Sequence, residues 1–319
     1  MPGEDFRESL KMVLGETPDL PSLPELPARG AHAAMTGRGL ALLEGLGADL
    51  QPAGWRLTGS LATSGVDHRR ARSLLAQDLD VVEEQTQGFA GTFKVAVAGP
   101  WTLAATVEKP RGDRVLSDRG ARRELAEALA EGLTVHVADL RRRLPDATLV
   151  VQVDEPALPA VMTGQVPTAS GFHRHRSVDA PAASPALELV LSAVRDAGAT
   201  PVVHCCAADV PVSLLVSAGA AGVSVDLDVL AAPAYDDVAT LLEAGAPVHL
   251  GVVPTLRPDD APGEHALTEK VLRFLDMLGL DPDGVGESLV VTPGCGLAGA
   301  DAAWAREALA LARRTASNL

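Results

Sequence analysis

Three cysteines occur in this 319-residue chain, and two of them adjoin a histidine in the stretch Pro201-Val202-Val203-His204-Cys205-Cys206. The third, Cys295, lies downstream in VVTPGCGLAG, and both stretches begin with a short apolar run. Imidazole and thiolate are the ligands that zinc takes most readily. If the run before His204 is a strand, side chains alternate along it, so His204 and Cys206 face one side and Cys205 the other. Asp226 closes a further apolar run, GVSVD. One imidazole, two thiolates and one carboxylate (His204, Cys206, Cys295 and Asp226) would make a tetrahedral zinc site. Taken singly, a cysteine is commonly a small buried apolar residue and a histidine a satisfied core group. The metal reading therefore depends on elements that bring these residues to one place. A disulfide between Cys205 and Cys206 would strain the backbone.

The elements are short β-rich runs separated by longer Ala/Leu/Glu/Arg stretches. The clearest strands are Phe93–Gly99, Thr148–Pro156, Thr200–Cys206, Ala221–Leu227, Pro247–Val253 and Ser288–Cys295, with a weaker one near Leu23–Ala28. The strongest helix runs from Ser117 to Leu144, with Asp118 and Glu124 near its start and Arg141, Arg142 and Arg143 at its end, as the helix dipole prefers. Strand–helix alternation implies a parallel sheet with helical crossovers. No G-x-G-x-x-G follows the first strand, so the expected fold is a (β/α)8 TIM-type barrel whose site gathers at the strand C-termini. Seven strands are one short of closure. The first strand is expected to be missing or truncated, because a helical segment, Glu4–Leu14, follows almost at once upon Met1-Pro2-Gly3. A long Gly/Pro/Ser/His-rich segment, Met162–Ala186, is expected to be a substrate loop or lid. With no linker or repeat, residues 1–319 form a single catalytic domain.

With 47% hydrophobic and 3% aromatic residues, the core must be mostly Ala, Val and Leu, which suits helices on parallel strands. The net charge of −15 argues against nucleic-acid or anionic-membrane partners. No apolar run is long enough to span a bilayer and no signal peptide opens the chain. Three cysteines do not make a secreted framework, so the expected address is cytoplasmic.

VQVDEPAL (Val151–Leu158), HCC (His204–Cys206), VSVD (Val223–Asp226) and TPGCGLAG (Thr292–Gly299) occur in this order, with AGPWTL (Ala98–Leu103) ahead of them. Together they resemble the catalytic barrel of the cobalamin-independent methionine synthase family, over nearly the whole chain and in a short single-barrel form. The resemblance implies a zinc-dependent transfer of a methyl group to a thiol, homocysteine first, in methionine biosynthesis. His204, Cys206 and Cys295 match the family's zinc ligands. Asp226 stands where the family has a glutamate, one methylene longer. Asp154 matches a carboxylate that meets the amino-acid part of homocysteine.

Three departures bear on substrate and donor. The family's opening I-G-S-x-P strand would precede Met1. Counting back from Met35, the glutamate that holds the substrate's ammonium falls on Arg29, which would favour an anionic thiol over homocysteine. The segment after the seventh strand lacks the family's histidine. Protonating the leaving nitrogen of 5-methyltetrahydrofolate would then fall to Asp259, Asp260 or His265. A methyl-corrinoid donor, delivered by a corrinoid protein partner, needs no such acid. Two rivals remain: a metal-independent decarboxylase like uroporphyrinogen decarboxylase, and a non-catalytic zinc-binding barrel.

Overall fold

In the computed structural model, which describes residues 1–60, 62 and 64–319, helix α1 (Phe6–Glu16) opens the fold. Asp5 caps it by accepting the Glu8 N–H, and Phe6, Leu10 and Val13 bury its apolar face. The chain then passes through an extended stretch, Pro21–Leu23, and helix α2 (Met35–Leu42). An antiparallel hairpin follows, β1 (Leu46–Gln51) with β2 (Gly54–Ser60), and then the long helix α3 (Val66–Gln85).

From there strands and helices alternate: β3 (Thr92–Ala98), α4 (Pro100–Thr106), α5 (Arg119–Arg143), β4 (Thr148–Asp154), α6 (Leu158–Met162), α7 (Ala180–Asp196) and β5 (Thr200–Cys205). Next come α8 (Val212–Ser217), β6 (Gly222–Asp226), α9 (Tyr235–Glu243), β7 (Val248–Val253), α10 (Glu264–Leu278), α11 (Pro282–Val285), β8 (Leu289–Pro293) and α12 (Ala302–Ala316). Strands β3 to β8 form one parallel sheet in sequence order. Pro21–Leu23 extends it at the β3 edge: the Leu23 N–H donates to Lys94 O at 2.8 Å and the Lys94 N–H to Pro21 O at 2.9 Å. This is the (β/α)8 TIM-type fold, a curled parallel sheet wrapped by its crossover helices.

The six strong strands lie where the Val-rich runs placed them, within two residues at their ends. The weak one does not: the sheet contact is made at Pro21–Leu23, and Pro27–Arg29 forms a 3-10 turn instead. The β1–β2 hairpin has no counterpart in the strand–helix alternation. Helix α5 starts and ends as its charges require, with Asp118 accepting the Ala121 N–H and Arg141–Arg143 in the last turn.

The sheet's alternation sorts the residues. Val95, Val97, Val151, Val153, Val203, Val223 and Val225 point to the helices and are buried in the main apolar cluster. The other face looks into the barrel, where the register sets Asp154, His204, Ser224 and His249 in one lateral row. A valine-rich outer face is what the hydrophobic effect asks of a two-sided sheet. A row of polar side chains inside a barrel is not, and it marks the functional end.

Candidate active site

β5 ends at Cys205, so His204 projects into the barrel, Cys205 projects outward, and Cys206 begins the turn at the mouth. Cys205 is 1% exposed within the apolar cluster, and burial pushes its thiol up to about 12. It is an inert core residue, as the alternation requires. Cys295 arrives from the loop after β8. Two glycines let that loop come close: a Cβ at Gly251 would lie 2.5 Å from Gly294 Cα, and one at Gly294 would lie 2.8 Å from the Asp226 carboxylate. The Gly294 N–H also donates to Val253 O at 3.0 Å.

The result is a group of three. Donor atoms of His204, Cys206 and Cys295 all lie within 4.8 Å of one another. The two sulfurs are 3.3 Å apart. His204 Nδ1 lies 3.1 Å from the Ser224 carbonyl oxygen and 3.0 Å from its hydroxyl. A carbonyl only accepts, so Nδ1 carries a proton and Nε2 is the nitrogen that faces Cys295 and would meet a metal. Burial alone would lower the His204 pKa, but its hydrogen bond with Cys295 and the charge of Asp154 outweigh this and raise it. The Cys295 thiol is held well below its ordinary value by the bond with Cys206 and then by His204.

Asp226 is close by but not in the group. One of its oxygens accepts the Asp228 N–H at 3.0 Å, and burial raises its pKa. Asp154 is 8% exposed beside His204. Gln152 donates to its Oδ1 at 2.8 Å, and Lys94 Nζ in turn donates to Gln152 at 3.0 Å. Burial lifts Asp154 to about 6, against the pull of His204 and with a further push from Glu25. Its neighbour Glu155 serves the scaffold. It accepts the N–H groups of Trp101 and Thr102 at 2.8 and 2.7 Å, capping α4, and burial raises it to about 7.

Arg29, expected at the substrate, is engaged by a carboxylate of this chain. Its guanidinium grips Asp78 of α3 at 2.8 and 2.6 Å and stacks 5.4 Å from the Phe6 ring centroid. The ungapped count from Met35 ran through the 3-10 turn at Pro27–Arg29, which takes up residues between the sheet and α2. Glu25 is the acid that reaches the interior, since its charge acts on Asp154 while Arg38 holds its carboxylate at 3.0 Å. Sequence reasoning missed Glu25, Lys94 and His249. Glu25 had a signal, being the only acid in LPELPARG beside the first sheet contact. His249 alternates with apolar residues in PVHLGVV and is 2% exposed, with no partner for Nδ1 among the described residues.

Asp259 and Asp260 are exposed, and His265 is 88% exposed on α10 against Glu269, so none of the three is drawn toward the metal group. The Met162–Ala186 segment is less loose than its composition implies. Pro167 and Arg174 pair, Arg114 donates to the Pro167 carbonyl, and the Ala169 N–H donates to Asp113.

The family model for the catalytic domain of the cobalamin-independent synthase matches residues 81–318. The chain belongs to this family. No curated protein matches it closely enough to compare. A solved structure of a B12-independent methionine synthase from Shewanella sp. W3-18-1, in complex with selenomethionine, resembles it with a TM-score of 0.62. The likeness covers 98% of this chain and 86% of that one at 13% identity, and it concerns the fold. A family described as cobalamin-independent conflicts with the expected methyl-corrinoid donor, and nothing in the comparisons points to a corrinoid-protein partner. Among the described residues, no helix is long and apolar enough to cross a membrane.

Proposed function

We propose that this chain is a zinc-dependent methyltransferase that moves the methyl group of 5-methyltetrahydrofolate to the thiol of homocysteine, giving methionine. The observation that carries the reading is the convergence of His204, Cys206 and Cys295 within 4.8 Å. Two sulfurs each about 2.3 Å from one tetrahedral zinc lie roughly 3.8 Å apart, so the pair at 3.3 Å need part by only about half an ångström to share an ion. The donor set fits too: two thiols, one already disposed to ionise, and an imidazole whose free nitrogen is fixed by Ser224. Three protein ligands leave one position open, the mark of a catalytic rather than a structural zinc. Zinc bound there supplies a way to keep a thiol substrate deprotonated at neutral pH.

The remaining work falls to this chain's own side chains. Ser224 holds the His204 tautomer. Lys94 and Gln152 fix one oxygen of Asp154, whose other oxygen is available to the ammonium of an amino-acid substrate. Glu25 adds a second negative charge to the same interior. Two carboxylates favour an amine and disfavour an anionic thiol, so with Arg29 engaged by Asp78 homocysteine is the acceptor the geometry supports best. Asp226 flanks the group and is not counted as a ligand.

The test is methionine formation from L-homocysteine and (6S)-5-methyltetrahydrofolate by zinc-loaded protein, beside the His204→Ala variant. Methionine from the parent alone is expected. A parent that holds one zinc yet forms none would refute the reading.

A further inference from the structure

Helices α5 and α7 pack side by side outside the sheet, and their first turns flank a groove of about 560 Å³. The Trp101 indole forms its floor: it is 3% exposed, and its N–H donates to the Ala183 carbonyl at 3.1 Å. One wall is apolar, with Pro185 and a 40% exposed Leu189. The other carries Arg119, Arg122 and Arg123.

Several arginines elsewhere in the chain are held closely by carboxylates. Arg29, Arg38, Arg143 and Arg314 each reach a carboxylate at 3.0 Å or less. Arg123 reaches Glu127 only at 3.5 Å, across exposed helix surface. Among the described residues no ion pair involves Arg119 or Arg122, in a chain with 42 acidic against 27 basic side chains. Arg122 lies over the Trp101 ring, 5.5 Å from its centroid, and its Nε is buried with no hydrogen-bond partner. Burial and the nearby Arg119 disfavour its charge, and Asp118 favours it. The Arg122 side chain lines the groove, and a guanidinium there offers its terminal N–H groups to an incoming anion. The first turns of α5 and α7, helices of 25 and 17 residues, add their positive ends to the same groove. Asp118 and Asp179 oppose this, but each carboxylate is engaged by the N–H groups of its own helix.

We propose that this groove binds a small organic anion with a flat apolar body, such as an aryl sulfonate, an aryl carboxylate or an aryl phosphate. The acid group meets Arg119 and Arg122, and the body lies along Pro185 and Leu189. The volume suits such a ligand, because small-molecule sites commonly span about 300–1,000 Å³. The groove is formed by helix residues only and shares none with the metal group, so the proposal stands whether or not the chain transfers methyl groups.

The test uses the full chain and 1-anilinonaphthalene-8-sulfonate as probe, followed by fluorescence. One saturable site is expected, weakened on the order of tenfold or more in Arg122→Met and severalfold in Arg119→Gln, since charged hydrogen bonds are lost. Arg273→Gln, an exposed arginine on α10, should bind like the parent. Arg122→Met removes no carboxylate partner, so its melting temperature should match the parent's or exceed it. Arg119 is exposed on the first turn, and its variant keeps the test open if Arg122→Met does not fold. The neutral N-phenyl-1-naphthylamine should bind far more weakly. Equal binding by parent and both variants, or by the neutral probe, would overturn the proposal and leave an apolar groove only. Probe binding lost as the protein is concentrated and dimerises would assign the groove to a second copy, which also overturns it.

Discussion

The two sides of the barrel mouth handle polar groups in opposite ways. On the β5–β8 side, His204, Cys206 and Cys295 converge, and one buried contact, Ser224 to His204, fixes the tautomer of that imidazole. On the β3–β4 side, Lys94 donates to Gln152 and Gln152 to Asp154, while Glu25, held by Arg38, adds a like charge that pushes against Asp154. The first side is a set of donors waiting for a single ion. The second is a balanced network whose charges answer to whatever sits between them. Loss of a ligand on the metal side should therefore be all-or-none, and changes to the residues that support either set graded.

The sharpest break of that contrast lies in the ligands. Cys206→Ala or Cys295→Ala should reduce bound zinc from one per chain to a small fraction, because two protein ligands hold zinc poorly where three hold it well. Elemental analysis of dialysed protein checks this, and near-full zinc in either variant would dissolve the distinction. Ser224→Ala should come next, keeping the metal but weakening it about 10- to 100-fold, the usual cost of an outer-sphere partner. Competition with a chelator of known affinity measures it.

On stability, Arg29→Met should cost about 1–3 kcal/mol by removing two short bonds to Asp78, which Arg38 still partly compensates at 3.2 Å. It should leave homocysteine affinity unchanged. A shift in substrate preference instead would return Arg29 to the pocket. His136 offers a pH test away from the mouth. Burial, and then Arg38, lower its pKa to about 4 on α5. Its folded pKa lies below the unfolded value near 6.5, so its contribution is fully present above pH 6.5. The contribution is lost as pH falls from there toward 4, roughly 3 kcal/mol in all. His136→Leu should flatten that part of the stability profile, and urea titrations at pH 7 and pH 4.5 would show it. The smallest effect should be Cys205→Ala, a loss of about 1–2 kcal/mol with zinc content unchanged.

What could be read from sequence follows the same division. Histidine and cysteine are rare enough here that HCC and PGCG stand out, and strand alternation alone separates Cys206 from Cys205. The valine runs located six strands because two-sided burial leaves them no other use. The network side was less legible. Lys94 and Gln152 are ordinary surface residue types, and only the barrel's curl turns them inward. Glu25 and Arg29 could not be told apart as pocket residues, because the 3-10 turn at Pro27–Arg29 leaves no periodic pattern to place them. The β1–β2 hairpin was missed because LGADLQ and GWRLTGS carry few of the Val and Ile residues that mark the other strands.

The central claim is one metal held by His204, Cys206 and Cys295, with Cys205 outside the site. Substituting cobalt(II) for zinc tests it most directly, since thiolate-to-cobalt absorption reports the sulfur ligands whether or not the protein turns over. The account predicts one cobalt per chain with intense thiolate charge-transfer bands, unchanged in Cys205→Ala and reduced in both Cys206→Ala and Cys295→Ala. Bands that vanish in Cys205→Ala, or that persist in the other two, would contradict it.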